Sequence, residues 1–119
     1  MTRRFLFTGS QSWADPALIV QAILAHMQRG DILVHGNAEG LDKTAAQMWE
    51  PFGPVESYPA ADFETPLLRN LHMISLGADA CLAFALKWRS GTGHCARHAR
   101  KAGIPTFDYG VDTRIELRG

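Results

Sequence analysis

Ser90-Gly91-Thr92-Gly93 is the stretch of this chain best suited to hold an anion. It separates an apolar run at residues 80–85 from a helix-like run at residues 94–102. A small-residue turn between a buried strand and a helix leaves backbone N–H groups bare at a helix N-terminus. The first-turn donors there lack intrahelical partners, and the helix dipole is positive. The expected occupant is a phosphate, although a serine or threonine in such a turn also caps a helix. Two further glycine turns repeat the arrangement, Gly9-Ser10-Gln11 and Gly36-Asn37-Ala38-Glu39-Gly40, each following a short apolar run.

Other side chains add chemistry to these turns. Arg69 can grip a phosphate through two parallel bonds, or can be a solvated surface charge. The candidate acids for cutting a glycosidic bond are Glu39, Asp42, Asp62 and Glu64, since such cleavage needs a carboxylate to stabilise an oxocarbenium-like centre or activate water. No spacing pairs two of them. Asp42 either answers the dipole in the first turn of a helix or accepts a hydrogen bond from a ribose hydroxyl. His35, at the end of an apolar strand, is either a satisfied core histidine or a crevice contact. His94 and His98 share a helix face, but no third ligand accompanies them, so no metal site is expected. Trp13 and Trp88 flank two of the turns and suit packing or stacking on a base; Trp49 reads as core.

These residues need a scaffold that brings three turns together. The first strand is expected over residues 4–8. A helix then runs from the Asp15-Pro16 start to a stop at Gly30, with Leu18, Ile19, Ala22, Ile23 and Met27 at helical spacing. Residues 31–35 form a second strand. The second helix carries Leu41, Thr44, Ala45, Met48 and Trp49 and stops at residues 51–54. Residues 55–58 form a weaker third strand, and residues 62–76 a third helix whose regular part starts near Pro66. That helix is amphipathic through Leu67, Leu68, Leu71 and Ile74. Residues 78–85 read as a central strand, since strands covered on both faces lose their alternation. The fourth helix follows Gly93 and ends at Gly103, and residues 104–107 form the fifth strand, with proline at its entry. The alternation predicts an α/β fold: one Rossmann-like three-layer domain over residues 1–119, with a mainly parallel five-stranded sheet of order 3-2-1-4-5 and helices on both faces. The switch point then lies between the first and fourth strands, where ligands bind in such sheets. Residues 110–119 carry little pattern and are expected to be mobile.

Composition bounds the alternatives. The chain has 119 residues, 46% hydrophobic and 20% charged, which suits one globular core. Lys plus Arg number 12 and Asp plus Glu number 12, a balance that argues against bulk electrostatic binding to nucleic acid or an anionic membrane. The 2 cysteines make no disulfide framework. No apolar run approaches a membrane span, and the apolar stretch near the N-terminus is too short for a signal peptide, so a soluble cytoplasmic protein is expected.

Residues from all three turns carry a family resemblance. Thr8-Gly9-Ser10 with Trp13, His35-Gly36-x-Ala38-x-Gly40-x-Asp42, Pro59-Ala60, Arg69-Asn70-x-x-Met73, Ala83-Phe84 and Ser90-x-Thr92 occur in the order seen in the SLOG superfamily. The chain most resembles its small YspA/YpsA-like branch of bacteria and phages, over roughly residues 4–107. The resemblance implies a Rossmann-like fold that binds nucleotides or nucleotide-derived ligands, with the glycine turns holding phosphate and Arg69-Asn70 facing the same crevice. It also implies self-association through helices beside that crevice. Related branches include phosphoribohydrolases that cut nucleoside monophosphates, and a protein that binds single-stranded DNA. Two features depart from those patterns. Gln11 stands where the first turn usually has arginine. The Ser90–Gly93 turn lacks the hydrolase branch's Pro-Gly-Gly start, and no glutamate follows it.

The expected ligand-binding residues are Gly9, Ser10, Gln11, His35, Gly36, Ala38, Gly40, Asp42, Arg69, Asn70, Ser90, Gly91, Thr92 and Gly93, with no further cofactor. The expected function is binding of a phosphorylated nucleoside as sensor or carrier, in a homo-oligomer. One alternative is an N-glycosidase using Asp42 or Glu39. Others are a single-strand nucleic-acid binder and, from Gly91-x-Gly93-x-x-Ala96 with Asp108 after the next strand, a dinucleotide binder.

Overall fold

The computed structural model describes residues 2–13, 15–37, 40–86 and 91–109. In chain order the elements are β1 (Arg4–Gly9), α1 (Pro16–His26), β2 (Ile32–His35), α2 (Leu41–Trp49), β3 (Val55–Ser57), a 3-10 turn (Ala60–Asp62), α3 (Pro66–Ser75), β4 (Ala80–Phe84), α4 (Gly91–Lys101) and β5 (Thr106–Asp108). They form a five-stranded sheet of order β3-β2-β1-β4-β5 in which every neighbouring pair is parallel. The parallel sheet follows from the alternation of elements, and its order is the one expected. The central pair is the longest, with Phe5 opposite Ala80 and Gly9 opposite Phe84.

Strand alternation sorts the core into two layers. Phe5, Phe7, Leu33, Leu82 and Phe84 point toward α1 and α2, where they meet Ile19, Ala22, Leu41, Ala45 and Trp49. Their neighbours Leu6, Val34 and Cys81 point the other way, toward Met73 and Ile74 of α3 and Cys95 and Ala99 of α4. Helices therefore change face between β1 and β4, which creates the switch point. Every residue of β4 is buried, as a strand covered on both faces requires. Phe7 stacks on Phe84 with ring centres 5.9 Å apart and meets Trp49 edge-on at 5.6 Å. Trp49 is fully buried and donates its indole N–H to the Asp31 carbonyl at 2.9 Å. Trp13 is a packing residue: it sits edge-on to Phe84 at 5.5 Å and donates to the Asp15 carbonyl at 2.7 Å.

Several boundaries move for local reasons. Helix α1 begins where the Asp15 carboxylate accepts the Ala17 N–H, with proline at the first position. It ends at His26 rather than Gly30, because the Asp31 carboxylate accepts the Gln28 N–H at 2.8 Å and folds the intervening residues into a turn. Helix α3 starts at Pro66, capped by the Thr65 hydroxyl, which accepts from Leu68; residues 60–62 form a separate turn. Strand β5 starts after Pro105, which has no N–H to give to the ladder, although its carbonyl accepts from Cys81.

Helix α3 also corrects the expected apolar face. It buries Asn70, Met73 and Ile74, while Leu67, Leu68 and Leu71 are 45%, 45% and 38% exposed. Of the expected apolar set Ile74 is buried and the three leucines are not. Asn70 tolerates burial because its amide is bonded at both ends, as described below. Helix α4 contains another correction: Gly91, Thr92 and Gly93 are its first turn rather than a loop before it. Alanines at 83, 85 and 96 form a small buried cluster, which lets α4 approach β4 closely.

Candidate functional site

A cavity of about 330 Å³ opens at the carboxyl end of the sheet. Phe7 to Gln11 line it from β1 and its following turn. Gly36 and Asp42 line it from the β2–α2 connection, Pro66, Arg69, Asn70 and Met73 from α3, and Gly91 and Thr92 from α4. Nine residues expected from sequence thus share one cavity: Gly9, Ser10, Gln11, Gly36, Asp42, Arg69, Asn70, Gly91 and Thr92. His35, Gly40 and Gly93 do not line it. Ala38, Glu39, Ser90 and Trp88 lie outside the described residues, as does the stretch 110–119.

The glycine turns do different jobs. At Ser10, the N–H donates to the Phe84 carbonyl at 3.1 Å and the hydroxyl accepts from Leu86 at 2.9 Å. Ser10 therefore ties the end of β1 to the end of β4. A side chain on Gly9 would overlap Leu41, so this glycine lets α2 dock. The Gly36 N–H donates to the Asp42 carboxylate at 3.1 Å, and the Gly36 carbonyl accepts from the Arg69 guanidinium at 2.6 Å. A Cβ on Gly36 would overlap that guanidinium. Gly40 has φ 70°, a conformation that favours glycine. The Ser10 and Gly36 N–H groups, expected from sequence to face phosphate, are thus engaged inside the protein.

His35 is a satisfied core histidine. It is 3% exposed, and its Nδ1 accepts the Asn37 N–H at 2.8 Å. That bond selects the neutral tautomer protonated at Nε2. Burial, with the Arg69 guanidinium nearby, pushes the imidazole down to about 4.

Arg69 is the cation of the site. Its Nε donates to the Asn70 side-chain oxygen at 2.9 Å, and its Nη1 donates to the carbonyls of Gly36 at 2.6 Å and Tyr58 at 3.4 Å. All three acceptors are neutral. Among the described residues no carboxylate forms an ion pair with Arg69. The half-buried guanidinium is thus fixed in direction by neutral acceptors. Close by, the first turn of α4 contains no acidic residue, while that of α2 contains Asp42. The positive end of α2 is therefore met by its own carboxylate, and that of α4 is not. The cavity has a positive wall at Arg69 and α4 and an acceptor at Asp42, which is 4% exposed.

Thr8, Phe7, Pro66 and Met73 line the cavity but were absent from the expected binding set. Pro66 and Met73 had a legible signal, lying one helical turn either side of Arg69-Asn70. The dinucleotide fingerprint is not formed: Gly91 and Gly93 lie inside α4, and β4 ends at Phe84, well before them. His94 and His98 lie with ring centres 4.2 Å apart and planes tilted at 45°, and among the described residues no three His, Cys, Asp or Glu side chains come together.

A parallel five-stranded sheet with a polar cavity at its switch point defines a Rossmann-like α/β domain. The chain is 40% identical over 121 aligned positions to the Gene 61 protein of Mycobacterium phage D29, covering 91% of this chain and 97% of that protein. It belongs to the same family as that phage protein. No protein-family model matches the chain, and no solved structure matches it. No helix of the described residues is long and apolar enough to cross a membrane.

Proposed function

We propose that this protein binds a phosphorylated nucleoside or related nucleotide-derived ligand in the switch-point cavity, as a sensor or carrier of the SLOG type. The observation that carries the reading is Arg69, a guanidinium held in place by neutral acceptors. Holding a cation this way leaves its charge for a bound anion, and the adjacent first turn of α4 favours the same sign of ligand. The phosphate sits against Arg69, Gly91 and Thr92, and Asp42 accepts from a sugar hydroxyl or a base N–H. The cavity volume lies near the lower end of small-molecule sites, roughly 300–1,000 Å³, which suits one nucleotide better than a dinucleotide. A thermal-shift panel of nucleoside monophosphates, nucleosides, NAD and inorganic phosphate tests this. Stabilisation by monophosphates that is weaker with the matching nucleosides is expected. No shift with any phosphorylated compound contradicts it.

A second reading is favoured by the position of Asp42, a buried carboxylate on the cavity wall. There it suits the working acid of an N-glycosidase acting on nucleoside monophosphates. Release of free base that disappears in Asp42→Asn, with binding retained, would replace the carrier reading.

A further inference from the structure

We infer that Asn70 is the positioning residue of this site, joining Arg69 to α4 and aiming the guanidinium at the cavity without cancelling its charge. The inference deepens the phosphate reading above and rests on it. Asn70 is 4% exposed, on a helix whose leucines face outward. Its side-chain oxygen accepts from Arg69 Nε at 2.9 Å, and its Nδ2 donates to the Gly91 carbonyl at a longer 3.4 Å. The two partners fix the amide orientation, since a guanidinium N–H only donates and a carbonyl only accepts. Asn70 is thus an acceptor toward the cation and a donor toward the first turn of the helix beside it.

Few side chains can replace it. Leucine has similar bulk and can make neither bond. Aspartate has the same shape and can still accept from Arg69. It cannot donate to Gly91, it sets a negative charge against that carbonyl, and it neutralises the guanidinium. Asparagine holds the arginine without cancelling it. The Gly36 and Tyr58 carbonyls do the same from the other side, so the cradle is neutral throughout. The amide also couples the cation to α4, so that Arg69 and the Gly91–Thr92 backbone meet an anion as one preorganised unit.

The test uses the full chain and its Asn70→Asp and Asn70→Leu variants, with circular dichroism to verify folding. Inorganic phosphate and adenosine 5′-monophosphate are titrated by calorimetry. In parallel, the Arg69 Nε–H is followed by nitrogen-15 NMR for its protection from exchange. In Asn70→Asp the Nε–H is expected to stay protected while phosphate affinity falls by about ten- to a hundred-fold, the span of one charge-assisted hydrogen bond. In Asn70→Leu both protection and affinity are expected to fall. A folded Asn70→Asp that binds phosphate within two-fold of the parent overturns the inference, since a merely structural amide tolerates its isostere. Where the carboxylate variant does not fold, Asn70→Ala serves, and unchanged Nε–H protection in it overturns the inference. A parent chain that binds neither probe contradicts the phosphate reading itself, while the Nε–H protection still reports whether Asn70 holds Arg69.

Discussion

The Gly36 carbonyl accepts from Arg69 Nη1 at 2.6 Å, across 33 positions of sequence, and the space where a Gly36 side chain would stand is filled by that guanidinium. The turn after β2 and the middle of α3 are therefore fitted to each other. Gly36→Ala is expected to push Arg69 out of its cradle and to destabilise the fold by about 1–3 kcal/mol through the hydrogen bonds the guanidinium loses. In an Arg69→Ala background the same change is expected to cost much less, because the clashing group is gone. Urea unfolding of the four chains measures the coupling. Additive effects would show that the two residues act independently.

His35 makes stability depend on pH in a defined window. Burial beside Arg69 pushes its folded imidazole down to about 4, from an ordinary value of 6.5. Between these values the unfolded chain takes up a proton that the folded chain does not. Stability is therefore fully present above about 6.5 and is lost as pH falls toward 4, by of order 3 kcal/mol for the whole shift. Burial lowers His26 and His94 as well, with the same sign. His35→Gln is expected to flatten most of this slope in urea unfolding between pH 7 and 4.5. An unchanged slope would remove His35 as its source.

Cys81 and Cys95 face each other across the β4–α4 layer, both fully buried. The Cys81 thiol is pushed up by hydrogen bonding to Cys95 and by burial, and Cys95 is drawn down by accepting from Cys81. A thiol that is buried is inert whatever its acidity. Neither is expected to react with a disulfide reagent such as Ellman's in the folded protein, and both are expected to react in urea. Rapid labelling of a folded thiol would indicate that α4 opens from the sheet.

Leu67, Leu68 and Leu71 place three half-exposed leucines on one face of α3, beside the cavity. We expect the chain to self-associate through this face. Sedimentation velocity should show a species larger than the monomer that dissociates in Leu68→Glu/Leu71→Glu. A monomeric parent chain at high micromolar concentration would contradict this.

The sheet was legible because its signals are redundant. Strands β1, β2 and β4 are apolar runs, helices α1 and α2 carry periodic apolar sets, and right-handed crossovers leave few topologies. Side-chain direction was less legible. On α3, leucine spacing gave the wrong face, since the burial of Asn70 depends on two partners, Arg69 and Gly91, that periodicity does not reveal. Grouping the glycine turns at one crevice followed from strand order, yet the reason for each glycine did not. Gly36 reads locally as a phosphate turn, and only the fold shows Arg69 occupying the space beside it. His35 is ambiguous in the sequence because a strand-end histidine has the same local sequence whether it faces a ligand or, as here, the Asn37 backbone.

The most direct measurement of the central claim is calorimetric titration of adenosine 5′-monophosphate and adenosine into the parent chain and into Arg69→Gln. Binding through a guanidinium held by neutral acceptors predicts that the parent prefers the monophosphate by at least about ten-fold, and that Arg69→Gln loses this preference while its residual affinity for adenosine is unchanged. Equal affinity of the parent for both compounds, or a phosphate preference that survives in Arg69→Gln, would contradict it.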